Sequence, residues 1–328
     1  MVMQIVATVA AICILYKLFD WLSRLPTIDG ITSKYVLITG CDTGFGNLLA
    51  QKLDKKGCKV IAACLTDKGA RDLKAVTSHR LTTLSMDVAS DKSIKAAYEK
   101  VKKILPKGTG LWGLVNNAGI MGELGMPDWF SRDEYKPCFE INALGLIQVT
   151  MTFVPLLKKA KGRIVNVSSI AGLMTFSDNI PYSISKYAVE SVSDGIRSWL
   201  RPFGVSVHII EPGFFRTNLT NWDILERKVL RRWEALDPET RNEYGEEWFQ
   251  RFREGAKKAL CERTNTKTYL VPEAMEHALT AVRPQLRYHV GMDAKVLWVP
   301  LSRLPASIHD FIRRLLRGKA NIPKGAQP

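Results

Sequence analysis

The sequence predicts a doubly wound α/β domain built on a parallel sheet, preceded by a membrane-anchoring helix. Three observations carry that prediction. Apolar runs of strand length alternate with helix-period segments from Tyr35 onward, the pattern of a sheet with helices on both faces. The first run ends in a glycine-rich turn, Thr39-Gly40-Cys41-Asp42-Thr43-Gly44-Phe45-Gly46, that opens a helix. From Met1 to Tyr16 no residue is charged.

The elements follow in order. An uncharged start, then Lys17, Asp20, Trp21 and Leu22, gives a helix over 1–22 of about 33 Å, enough to cross a bilayer core. No Lys or Arg precedes the apolar run, and 22–26 makes a poor cleavage site. An uncleaved anchor is therefore expected rather than a signal peptide. Lys17, Arg24 and Lys34 follow the run, which puts the main domain on the cytosolic side. A linker covers 23–33 and the main domain 34–300. Strands are predicted at Tyr35–Thr39, 59–63, 81–86, 111–115, Arg163–Val167, 205–210 and 288–291, because buried parallel strands read as continuous apolar runs. Helices are predicted at 47–56, with Gly57 as its stop, at 90–104 and at 182–201. The charged, tryptophan-bearing stretch 218–266 (Trp222, Trp233, Trp248) reads as a helical insertion that builds a substrate pocket or simply its own core. The tail 301–328 is amphipathic, with Leu304, Ile308, Phe311, Ile312, Leu315 and Leu316 beside Arg313, Arg314 and Arg317. It could lie on a membrane or pack on the core, and 318–328 is expected to fray.

Composition narrows the partners. Of 328 residues 46% are hydrophobic, enough for a sizeable core. The net charge of +15 suits acidic lipid, phosphate-bearing cofactors or only a solvated surface. With no aromatic-interleaved basic motif, no nucleic-acid partner is expected. The six cysteines form no C-x-x-C pair and no cluster with histidine. Free thiols in a reducing compartment and no metal site are expected.

Chemistry enters at the carboxyl ends of the strands, where such sheets bind ligands. Gly40, Gly44 and Gly46, spaced G-x3-G-x-G before a helix, allow close approach of a pyrophosphate to free N–H groups. After the second strand, Thr66, Asp67 and Lys68 leave NAD and NADP both open, since an acid binds ribose hydroxyls and a base a 2′-phosphate. Asp87-Val88 could hold an adenine amine, and Asn116-Asn117-Ala118-Gly119 closes the fourth strand. Tyr182 and Lys186 are four apart on one helix face. An ammonium beside a phenol favours the phenolate, which brings a tyrosine toward acid–base work at neutral pH. Ser169, just past the fifth strand, could hold the oxygen of an alcohol.

Together these residues resemble the short-chain dehydrogenase/reductase superfamily, over about 34–300, and the resemblance implies a Rossmann fold. It implies that Asn142 orders a relay water, Ser169 holds substrate, Tyr182 is the catalytic acid/base, and Lys186 binds ribose and lowers the tyrosine's pKa. It implies cofactor contacts from Gly40, Asp42, Thr43, Gly44, Phe45, Gly46, Thr66, Asp87, Val88, Asn116, Ala118 and Gly119. Pro212, Gly213, Phe215 and Thr217 would lie over the nicotinamide. The strings Ile38–Gly46, Ala63–Thr66, Leu111–Val115, Glu211–Thr217 and Met292–Trp298 look like the retinol and hydroxysteroid dehydrogenase branch. That branch implies NAD, a lipophilic alcohol, the endoplasmic reticulum membrane and a possible homo-oligomer. Two alternatives stand beside this reading: 3-hydroxybutyrate dehydrogenase, and an inactive nucleotide-binding membrane scaffold. The sequence departs from the branch at Thr175–Ile180, polar where relatives carry glycines, and at the arginines of the tail.

Overall fold

The computed structural model describes residues 1–317 and 322–326. Strands β1 (Tyr35–Thr39), β2 (Lys59–Cys64), β3 (Thr82–Ser85), β4 (Gly113–Asn116), β5 (Arg163–Val167), β6 (Ser206–Pro212) and β7 (Arg287–Val290) form one sheet in the order 3-2-1-4-5-6-7. Every pairing is parallel. The order reverses between β1 and β4, and the crevice at their carboxyl ends is where an open α/β sheet binds its ligand. The doubly wound prediction holds at this level.

Alternation along the buried strands divides the core. Val36, Ile38, Val60, Ala62 and Val115 face one layer, with α2 (Gly44–Lys55) and α11 (Leu270–Thr280). Leu37, Ile61, Leu114 and Ile164 face the other, with α4 (Asp91–Ile104), α6 (Leu146–Ala160) and α7 (Ile180–Leu200). Five helices among the described residues were absent from the sequence reading: α3 (Asp67–Ala75), α5 (Arg132–Phe139), α6, α11 and α12 (Val299–Ser302). A π-helical segment, Glu140–Gly145, joins α5 to α6. The stretch Arg132–Ala160 is apolar and long enough to span a membrane, but 56% of that window is buried in the protein, as in a core helix.

The N-terminal helix α1 runs Val2–Arg24, two residues beyond the expected anchor, and Asp20 and Arg24 pair at its end at 2.7 Å. Of its described side chains Met3, Ile12 and Phe19 are 86%, 60% and 65% exposed. The segment after it is fastened to the end of α11, with Ile28 N donating to Thr280 O at 2.7 Å and Val282 N to Pro26 O at 2.8 Å.

The insertion folds as α8 (Trp222–Glu234), α9 (Pro238–Tyr244) and α10 (Glu246–Lys257). Its tryptophans turn into a cluster of their own with Trp129: Trp233 stacks on Phe249 at 4.2 Å, and Trp248 meets Trp129 edge-on at 6.1 Å. The core alternative therefore describes them better than the pocket one. Two helices end the described chain, α12 (Val299–Ser302) and α13 (Ala306–Arg317). On α13, Ile308, Phe311 and Leu315 are exposed rather than packed on the core. Most of the fraying expected over 318–328 lies outside the described residues; Lys324–Ala326 forms a single 3-10 turn.

Candidate active site

The glycine-rich turn has three differently placed glycines. A Cβ on Gly40 would stand 2.8 Å from Ala118 Cα, and one on Gly46 2.4 Å from Asn117 Nδ2, so both are closed against the fourth-strand segment. Gly44 has φ +67° and open space where a side chain would be. It begins α2, and Thr43 before it makes no side-chain cap, which leaves the first-turn N–H groups facing that space. These features fit a dinucleotide pyrophosphate.

Other residues expected at the cofactor have partners within the protein. The Asp42 carboxylate accepts from Leu65 N at 2.8 Å and from Thr66 N and Oγ1 at 2.9 and 2.6 Å, tying the turn to the end of β2. Thr66 caps α3 through Gly69 N at 3.0 Å. Asp67 begins α3, and Lys68 pairs with Asp72 in solvent. Asn116 donates to Thr150 Oγ1 and Asn166 Oδ1 at 2.9 and 2.8 Å, inside the sheet. Phe45 and Phe215 pack edge-on at 5.8 Å. Asp87 Oδ1 accepts from Ala89 N at 2.9 Å, while Val88 is buried in the core. Ala118 and Gly119 remain at the crevice floor, where a Cβ on Gly119 would lie 3.1 Å from Asn142 Oδ1 and 3.8 Å from Lys186 Nζ.

Two residues absent from the expected set shape this floor. Asn117 donates to Thr39 O and Gly40 O at 2.9 and 3.0 Å. Asp293 Oδ2 accepts from Phe214 N at 2.8 Å and closes the turn after Pro212-Gly213. Thr217 lies just beyond, its N–H donating to Thr220 Oγ1 at 3.0 Å.

Ser169, Tyr182, Lys186 and Asn142 converge from β5, α7 and the π segment. Ser169 Oγ accepts from Ala171 N at 3.1 Å and lies beside the Tyr182 phenol. Lys186 Nζ donates to Val167 O at 2.8 Å and stands 5.5 Å from the Tyr182 ring centre. Asn142 is fully engaged: Oδ1 accepts from Ile120 N at 2.8 Å, and Nδ2 donates to Ile120 O and Ser185 Oγ, both at 2.9 Å. Burial raises the Tyr182 pKa above the ordinary tyrosine value, against the pull of Ser169. It pushes Lys186 down to about 8. The lowering of Tyr182 expected from its lysine does not appear in the protein alone, where Ser169 is the group that opposes desolvation. Around Tyr182 the walls are apolar, with Ala171, Ile120, Met121, Phe176 and Leu219 packed on it. Phe176 in turn meets Phe214 and Trp298 at 5.6 and 5.5 Å.

A profile of the short chain dehydrogenase family matches residues 34–226. The chain is 47% identical to the Bos taurus dehydrogenase/reductase SDR family member 9, over 91% of this chain and 92% of that one. It is 44% identical to the Mus musculus 17-beta-hydroxysteroid dehydrogenase type 6 (93% and 95%) and 45% identical to the Rattus norvegicus retinol dehydrogenase 16 (91% and 93%). A solved short chain dehydrogenase/reductase from Burkholderia phymatum, in complex with NAD, shares the fold at a TM-score of 0.68 and 21% identity. That match covers 88% of this chain and 98% of the other.

Proposed function

The chain belongs to the short-chain dehydrogenase/reductase family, and from that premise we propose that it oxidises or forms a lipophilic alcohol, a hydroxysteroid or a retinol, with NAD. The observation that carries this reading is the buried Ser169–Tyr182–Lys186 group set among apolar walls beside an open glycine cradle. The nicotinamide, when bound, exchanges the hydride with the carbinol carbon. The open face at Gly44, the first turn of α2, Ala118, Gly119 and the Pro212-Gly213 segment would hold that cofactor. Among the expected contacts, Asp42 and Asn116 support it from behind, because their side chains already have internal partners.

Ser169 can turn its hydroxyl proton to the alcohol oxygen while its Oγ still accepts from Ala171 N. Tyr182 removes the hydroxyl proton in oxidation and returns it in reduction. Lys186, beside the phenol, favours the phenolate whenever it is protonated. Any water that carries the proton onward would meet Asn142 at its main chain, because both amide donors and the oxygen of the side chain already have protein partners.

The exposed apolar α1 supports a membrane anchor, and its basic flank supports a cytosolic catalytic domain at the endoplasmic reticulum. Turnover followed by nicotinamide absorbance tests the substrate class. All-trans-retinol or a 3α- or 17β-hydroxysteroid should be oxidised with NAD, and faster than with NADP. Turnover of 3-hydroxybutyrate alone would overturn the lipophilic assignment.

A further inference from the structure

Behind the reacting groups lies a charged cluster with no part in the chemistry so far. Arg287, the first residue of β7, reaches three carboxylates on two other elements. Its Nη1 donates to Glu190 of α7 and, at 2.6 Å, to Glu211 of β6; its Nη2 donates to both oxygens of Asp194 of α7 at 2.9 Å. Glu211 is wholly buried and Glu190 is 7% exposed. Buried carboxylates survive only when paired, and a planar guanidinium fixes the geometry of the groups it forks between.

The placement gives this cluster leverage on the site. Glu190 and Asp194 continue the helix face of Tyr182 and Lys186 at four-residue steps. Glu211 immediately precedes Pro212-Gly213. At Gly172 a Cβ would stand 2.8 Å from Lys186 O, 2.7 Å from Ser168 Oγ and 3.0 Å from Glu190 Cγ, so Glu190 and the main chain of the lysine are packed at one crowded point.

We propose that Arg287 is a positioning residue for the reaction: by gripping Glu190 and Asp194 of α7 and Glu211 of β6 together, it sets where Tyr182 and Lys186 stand relative to Pro212-Gly213. The inference rests on the dehydrogenase reading of the site. Its weight comes from the steep dependence of rate on alignment, where a displacement of about 1 Å costs up to about a hundredfold.

The clamp has a pH signature. Facing Glu190 are Lys186, Tyr187 and Asp194 on its own helix, Glu211 of β6, Arg287 and His289 of β7, and Arg303 across a cavity of about 470 Å³. Burial and the Glu211 carboxylate raise the pKa of Glu190 above the usual carboxylate range. As pH falls, Glu190 therefore takes up a proton early and releases its ionic hold on Arg287.

The test uses the full chain in three forms: wild type, Arg287→Lys, which keeps the charge but not the fork, and the near-isosteric Glu190→Gln. Readouts are kcat, KM for NAD, the pH profile of kcat, melting temperature and amide hydrogen exchange. Both variants should lower kcat about tenfold or more with KM for NAD within about threefold. Glu190→Gln should also remove the acid limb of the wild-type profile. Exchange should quicken together in α7 and in the end of β6. Variants that melt earlier yet keep wild-type kcat, pH profile and exchange would overturn the inference and leave the dehydrogenase reading intact. A wild type inert with every alcohol would overturn that reading, and the inference with it.

Discussion

Tyr182 and Lys186 are both buried, and burial drives them apart: the phenol holds its proton more tightly and the ammonium holds its own less tightly. The free protein is thus poised with a neutral tyrosine, and the phenolate depends on positive charge nearby. His208 shows the same physics away from the site. It is buried on β6, bonded to Ser206 Oγ at 2.9 Å and to Gln285 O at 2.6 Å, and desolvation lowers its pKa to about 4. Its folded value lies below the 6.5 of the free side chain, so the unfolded chain takes up the proton first as pH falls. Stability is whole above about pH 6.5 and is lost on descent toward 4, by at most about 3 kcal/mol. Glu190, raised rather than lowered, works in the opposite sense over the acid range. Melting curves of wild type and His208→Asn from pH 7 to 4.5 separate the two: the wild type should lose stability more steeply, and parallel curves would refute the assignment. At this scale the sequence was legible in part. Tyr182, Lys186, Ser169 and Asn142 stand together as their motifs imply. The inward turn of Asp42 and Asn116 was not legible, because a carboxylate or amide at a strand end suits a ligand and a neighbouring loop equally. Asn117 could have been found from its place after β4 in Asn116–Gly119, while Asp293 gave no local signal.

Among the elements, the strands were read to within two residues at each end, and β1 and β5 to the residue, because a strand buried on both faces leaves a nearly continuous apolar run. Two of the helices missed, α5 and α6, lie where the pattern is broken. Pro137 and Pro155 and the π segment divide 132–160, although Leu146, Val149, Phe153, Val154 and Leu157 keep helical spacing. The insertion was recognised as helical, but composition alone does not tell a tryptophan that lines a pocket from one stacked in a core. The element that stands most apart is α1, whose described apolar side chains are exposed while the segment after it is bonded to the end of α11. Removal of 1–24 should move the protein from carbonate-resistant membranes to the soluble fraction with kcat unchanged on a water-soluble alcohol. Retention of the truncated chain on membranes would assign the attachment elsewhere, with α13 the next surface to test.

At the scale of the whole molecule, the proposed site sets apolar side chains beside the glycine-rich turn at the sheet's point of reversal, and Arg287 joins α7 to the end of β6. In the proposed reading substrate choice belongs to this scale, because Phe176, Phe214, Trp298 and Leu219 come from four separate stretches of chain. No one stretch announces the shape they make. The central claim, that Tyr182 is the acid/base of a nicotinamide-dependent alcohol dehydrogenase, is tested most directly by Tyr182→Phe. Turnover of the best alcohol is measured against wild type, alongside NADH binding by fluorescence. The account predicts NADH affinity within about threefold of wild type and kcat/KM lower by about a hundredfold to ten-thousandfold. Turnover persisting at the wild-type rate in the phenylalanine variant would contradict it.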